Sequence, residues 1–121
     1  METPKSGSGK FDVLFMVEAR EFLAGIDVKA RNKIIYNIDR ARLHNDKELF
    51  KKLKDEIWEF RTLFNKTHYR LFAFWDKTGK QDTLVISTHG IIKRTGKTPD
   101  KELDKAETLR KKYFILKKQQ Q

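Results

Sequence analysis

From Ile57 the apolar period of the chain changes from the three-to-four spacing of a helix to the two-residue alternation of a strand, which commits the middle of the sequence to a sheet. In the first such strand Glu59 and Arg61 fall on one face and Trp58 and Phe60 on the other. A second strand, His68 to Trp75, puts His68, Arg70, Phe72 and Phe74 on one face and Tyr69, Leu71, Ala73 and Trp75 on the other. Apolar residues on both faces mark it as central. Asp76 to Asp82, with Thr78, Gly79 and Lys80, reads as a hairpin loop, and Thr83 to His89 returns as a strand with Val85, Ser87 and His89 on one side. The three strands form an antiparallel meander.

Upstream, Lys10 to Met16 (KFDVLFM) fits a short buried strand. Ala19, Phe22, Leu23 and Ile26 then recur at helical spacing, and Gly25 followed by Asp27 supplies a stop and a new N-cap. A second helix is predicted over Val28–His44, with Ala30, Ile34, Ile38 and Ala41 on one stripe, so the two helices form a hairpin. Leu49, Phe50 and Leu53 place a further short helix over Lys47–Leu53. Thr98 and Pro99 open the last helix, whose apolar stripe is Leu103, Ala106, Leu109, Tyr113 and Leu116. Acidic residues crowd its first turn and lysines its last, as the helix dipole favours. The expected architecture is α+β: an N-terminal strand, a helical hairpin, a three-stranded meander and a C-terminal helix, with the helices on one face. The open face then presents Glu59, Arg61, Arg70 and His89. Residues 1–9 (METPKSGSG) are expected to be a flexible tail, 10–116 one domain, and 117–121 a frayed end.

Charge narrows the function. The net charge is +10, and residues 57–98 hold 8 Lys/Arg against 3 Asp/Glu, half of the excess. A basic excess gathered on one segment points to a polyanionic partner. The chain has no cysteine, so disulfides, thiolate nucleophiles and thiolate metal sites are excluded. His44, His68 and His89 lack the spacing of a metal set, and no nucleotide-binding glycine fingerprint or serine elbow occurs. Neither a metal nor another cofactor is expected. No apolar run approaches membrane-spanning length and none follows the first lysine, so a cytoplasmic protein with no membrane association is expected.

The runs WEFR, YRLFAFWD and LVISTHGIIKRTGKTP, followed by the helix KELDKAETLRKKYF, resemble the RelE/ParE superfamily of bacterial toxins, in particular its HigB-type, phage-derived branch. The likeness covers residues 10–116, and the KRTGKTP loop with its trailing helix is its most specific part. The resemblance implies the toxin of a type II toxin–antitoxin pair: an endoribonuclease that cleaves mRNA on the ribosome, held in check by a helix-turn-helix antitoxin. Members of the ParE branch poison DNA gyrase instead, so a non-catalytic binding inhibitor is the alternative. Some ribosome-dependent relatives stack a base on a C-terminal tyrosine, whereas the late tyrosine here, Tyr113, falls on an apolar helix stripe.

RNA cleavage without a metal requires activation of the 2′-hydroxyl, in-line geometry, neutralisation of the phosphorane and protonation of the leaving 5′-oxygen. Arg61 and Arg70 are the candidates for phosphate, because a guanidinium binds two oxygens at once and stays charged. His89 is the candidate for proton transfer. Lys93, Arg94 and Lys97 are candidates for contacts to the RNA backbone.

Overall fold

The computed structural model describes residues 10–79, 83–93 and 97–120. The chain runs β1 (Asp12–Phe15), α1 (Val17–Gly25), α2 (Val28–His44), β2 (Phe50–Lys54), β3 (Ile57–Phe64), β4 (Thr67–Asp76), β5 (Leu84–Lys93) and α3 (Asp100–Gln119). The strands make one five-stranded sheet in the order β1-β5-β4-β3-β2. β2 to β5 form an antiparallel meander with β4 at the centre, and β1 closes the sheet parallel to β5. The α+β class and the central place of the His68–Trp75 strand hold, but the meander has one strand more than expected.

The extra strand is β2, where a short helix was predicted over Lys47–Leu53. Leu49, Phe50 and Leu53 sit at helical spacing, yet a turn held by Asp46, whose carboxylate accepts from the Glu48 amide at 2.8 Å, redirects the chain. Phe50 then pairs with Phe60 across the ladder, stacking on it at 4.3 Å and on Trp58 at 4.8 Å. Seven residues carry too little helix propensity to compete with that cross-strand aromatic contact.

The helices also lie on both faces of the sheet rather than one. α1 rests on β5 and α2 on β3, each on the sheet more than on its neighbour. Asp27 caps α2 by accepting from the Ala30 amide at 3.1 Å, and Asn45 ends it in the left-handed conformation (φ 52°). Under these helices lies the main core, built from Val13, Leu23, Ile34, Ile38, Phe60, Leu71 and their neighbours. Gly90 belongs to this face: a Cβ there would lie 2.4 Å from the Phe22 ring, so only glycine lets α1 approach β5. α3 crosses the opposite face over a smaller apolar seam of Ile57, Phe72 and Ala106, flanked by Leu53, Ile91 and Leu103.

α3 runs to Gln119, past the frayed end expected after residue 116, because its last turns are anchored. The Tyr113 hydroxyl donates to Asp76 Oδ2 at 2.6 Å, and Lys117 Nζ reaches the same oxygen at 2.5 Å. Asp76 therefore ends β4 as a buried acceptor instead of opening the loop. The tail expected at 1–9 and the loop tip at 80–82 lie outside the described residues. No helix among the described residues is long and apolar enough to cross a membrane.

Candidate functional site

Strand alternation brings Ile57, Glu59 and Arg61 of β3, Arg70 and Phe72 of β4, and His89, Ile91 and Lys93 of β5 to the α3 side. Arg61 and Arg70 are register partners, so two like charges stand directly opposite each other. Such a pair is unfavourable unless an anion lies between. Glu59 supplies it: its carboxylate is 3.3 Å from Arg70 Nε and 3.8 Å from Arg61 Nε, and its side chain is buried. Thr98, just before α3, lies 3.5 Å from Glu59 Oε1 and accepts from Lys93 Nζ at 3.3 Å. The group closes around a cavity of about 230 Å³, walled by Glu59, Arg61, Arg70 and Lys93, with Lys51 and Lys97 at its rim and Leu53 and Leu103 completing it.

Five cations thus face one carboxylate. Arg70 is 6% exposed, and its pKa is lowered by burial, which the attraction of Glu59 does not fully offset and the repulsion of Arg61 deepens. A buried guanidinium in this position is held at a net electrostatic penalty. Burial likewise lowers the Lys93 pKa, with Arg70 adding repulsion, so its ammonium is a readier proton donor than a solvated lysine.

His89 shares the face but not the cavity. It is 2% exposed under α3, stacked on Phe72 at 4.8 Å, with Nε2 3.1 Å from Glu102 Oε1 and Nδ1 3.0 Å from Thr88 Oγ1. Burial lowers its pKa against the pull of Glu102, leaving a neutral ring. A carboxylate only accepts, so Nε2–H donates to Glu102 and Nδ1 accepts from the Thr88 hydroxyl. The expectation of an open face exposing Arg61, Arg70 and His89 together is corrected accordingly. Arg61 remains partly exposed, Arg70 lines a cavity wall, and His89 is sealed between the sheet and α3. Arg94 lies outside the described residues. Burial raises the Tyr113 pKa, and its hydrogen bond to Asp76 raises it further.

Sequence reasoning had placed Glu59 beside Arg61 but gave it no role at the centre of the site, and it missed Thr98 and Lys51. Lys51 was hidden by the helical reading of its strand; alternation from Phe50 would have put it on the same face as Glu59. Among the described residues, no three His, Cys, Asp or Glu side chains are grouped to hold a metal ion.

A family model described as "Phage derived protein Gp49-like (DUF891)" matches residues 21–111, from α1 through most of α3 and including every wall of the cavity. The chain belongs to this family. Its Gp49-like character agrees with the toxin-like, phage-derived class to which the sequence motifs pointed. No curated protein and no solved structure matches the chain.

Proposed function

We propose that this Gp49-like protein is the toxin of a toxin–antitoxin pair and acts as a metal-independent endoribonuclease on mRNA at the ribosome. The observation that carries the reading is the Arg61–Glu59–Arg70 cluster beside Lys93, a cationic cavity with charges buried at a penalty on one face of a small basic domain. In the reaction the 2′-hydroxyl of the RNA gives its proton to a solvent water as its oxygen attacks the adjacent phosphorus and the bond to the 5′-oxygen breaks, leaving a 2′,3′-cyclic phosphate. Arg61 and Arg70 neutralise the non-bridging oxygens, where charge develops, and Glu59 holds the two guanidinium groups in register. Lys93 takes over the proton-transfer role expected of His89, giving its proton to the leaving 5′-oxygen. Lys51 and Lys97 at the rim bind flanking phosphates. The same cationic surface suits an acidic segment of an antitoxin, which would block the cavity as it binds.

Primer extension on a defined mRNA, in extracts with translation running and with it arrested, tests this. New 5′ ends inside the coding region only when ribosomes translate are the expected result. No new ends in either extract would overturn the nuclease reading and favour a binding inhibitor, for which a gyrase supercoiling assay is the direct check.

A further inference from the structure

A second cleft opens at the other end of β2 and β3, with a volume of about 600 Å³, within the range of about 300–1,000 Å³ usual for ligand sites. Its apolar walls are Trp58, Trp75 and Phe114, and Lys10, Lys52 and Lys77 stand around it against one carboxylate, Glu56. The two tryptophans meet edge to face, with centroids 6.0 Å apart at 78°. Each is anchored from behind, Trp58 by stacking on Phe50 and Trp75 by an edge contact with Phe11 at 5.3 Å, and each keeps part of its surface in the cleft. Packing explains the anchored sides; it does not call for three lysines around the open ones.

The cleft is also linked to the arginine site by the lining residues of a third cavity at the edge of the sheet. Lys52 and Trp58 line both the cleft and a neighbouring cavity of about 400 Å³, and that cavity shares Lys51 and Arg61 with the candidate active site. Lys51 and Lys52 of the edge strand β2, with Lys47 and Glu48 just before it, therefore stand between the arginine site and the two indoles. Rigid aromatic surfaces flanked by lysines are the arrangement that receives single-stranded nucleic acid, bases on the rings and phosphates on the cations.

We propose that the Trp58–Trp75 cleft is a second nucleotide subsite, in which a base flanking the scissile one stacks on an indole while Lys52 and Lys77 hold its phosphates. This rests on the reading of the protein as an RNA-cleaving toxin. The chain has two tryptophans, both in the cleft, so its intrinsic emission reports on occupancy directly. The probe is a 2′-O-methyl hexanucleotide, which lacks the attacking hydroxyl and is not cleaved. Emission should be quenched in step with the rise in anisotropy of the end-labelled probe. The double variant Lys52→Glu, Lys77→Glu alters two exposed side chains, so it should keep the wild-type melting temperature while binding weakens about tenfold or more and the salt dependence of binding falls. Trp58→Leu, checked for folding by circular dichroism, should weaken binding by a similar factor. Saturating anisotropy with unchanged emission would overturn the proposal, as would wild-type affinity in the double variant. Emission that responds to an acidic protein partner but not to RNA would overturn it too. Quenching by the probe without any cleavage of mRNA would uphold the cleft and reject the nuclease reading, and cleavage without quenching would do the reverse.

Discussion

The two faces of the sheet are built on opposite terms. Beneath α1 and α2 the strands present Phe50, Phe60, Leu71 and Val85, with Phe11 just before β1, to an apolar, ring-on-ring core. Beneath α3 the same strands present a thin apolar seam among buried Glu59, Arg70, Asp76 and His89. A close-packed apolar face is explained by the free energy of removing it from water. Charges buried in pairs contribute little net stability and are often replaceable by apolar groups without loss, so stability alone does not explain the second face. On the proposed function, folding falls to one side and chemistry to the other, with α3 as the cover that carries Glu102, and the segment just before it Thr98, to the strands' charged groups.

The largest effect should come from the apolar face. Phe60→Ala removes a ring that is 3% exposed and stacked on Phe50, and should lower the unfolding free energy by about 3–5 kcal/mol in urea titration. A smaller loss would mean that the aromatic core is looser than its contacts imply. Next comes the anchor of α3. Burial alone would raise the pKa of Asp76, but hydrogen bonds from Lys117, Thr78 and Tyr113 outweigh it and hold the carboxyl well below the usual range. Asp76→Ala should lower stability by about 1–3 kcal/mol and detach the end of α3, read as faster hydrogen exchange over Tyr113–Gln119. Because the folded pKa lies below the unfolded 3.8, the contribution is complete above pH 3.8 and is lost as pH falls.

His89 gives a smaller and separable signal. Its folded pKa lies below the unfolded 6.5, so its contribution is complete above pH 6.5 and is lost as the unfolded chain takes up the proton at lower pH. Relative to His89→Gln, the wild type should lose stability below pH 6.5 with an added slope of at most about 1.4 kcal/mol per pH unit. Parallel stability curves for the two proteins would show that the ring titrates freely, contrary to its seal beneath α3.

What the sequence made legible follows the range of the forces involved. α2 appears with the bounds its periodicity and the Asp27 cap indicate, and alternation put Glu59, Arg61 and Arg70 on one face. Both are local consequences of backbone geometry. β2 was not legible, because Leu49, Phe50 and Leu53 fit a helix turn as well as a strand and the decision lies with Phe60, ten residues later in the register. The placement of α3 was not legible either. Its stripe states that it packs on something, whereas Asp76, the residue that holds its end to the sheet, looked like a loop residue. His89 was misjudged for the same reason: its burial depends on Glu102 of a helix that had been assigned to the other face.

The central claim is that the Arg61–Glu59–Arg70 cluster beneath α3 serves chemistry rather than folding, and the double variant Glu59→Gln, Arg70→Met tests it most directly. It removes the buried ion pair while keeping side-chain volume close to that of the native pair. Unfolding free energy and mRNA cleavage should be measured on one preparation. Stability should stay level or rise by about 1–4 kcal/mol, while cleavage in a translating extract falls by at least about 100-fold as the transition-state charge loses its partner. Cleavage at the wild-type rate by the folded variant, or loss of the fold together with activity, would contradict the account.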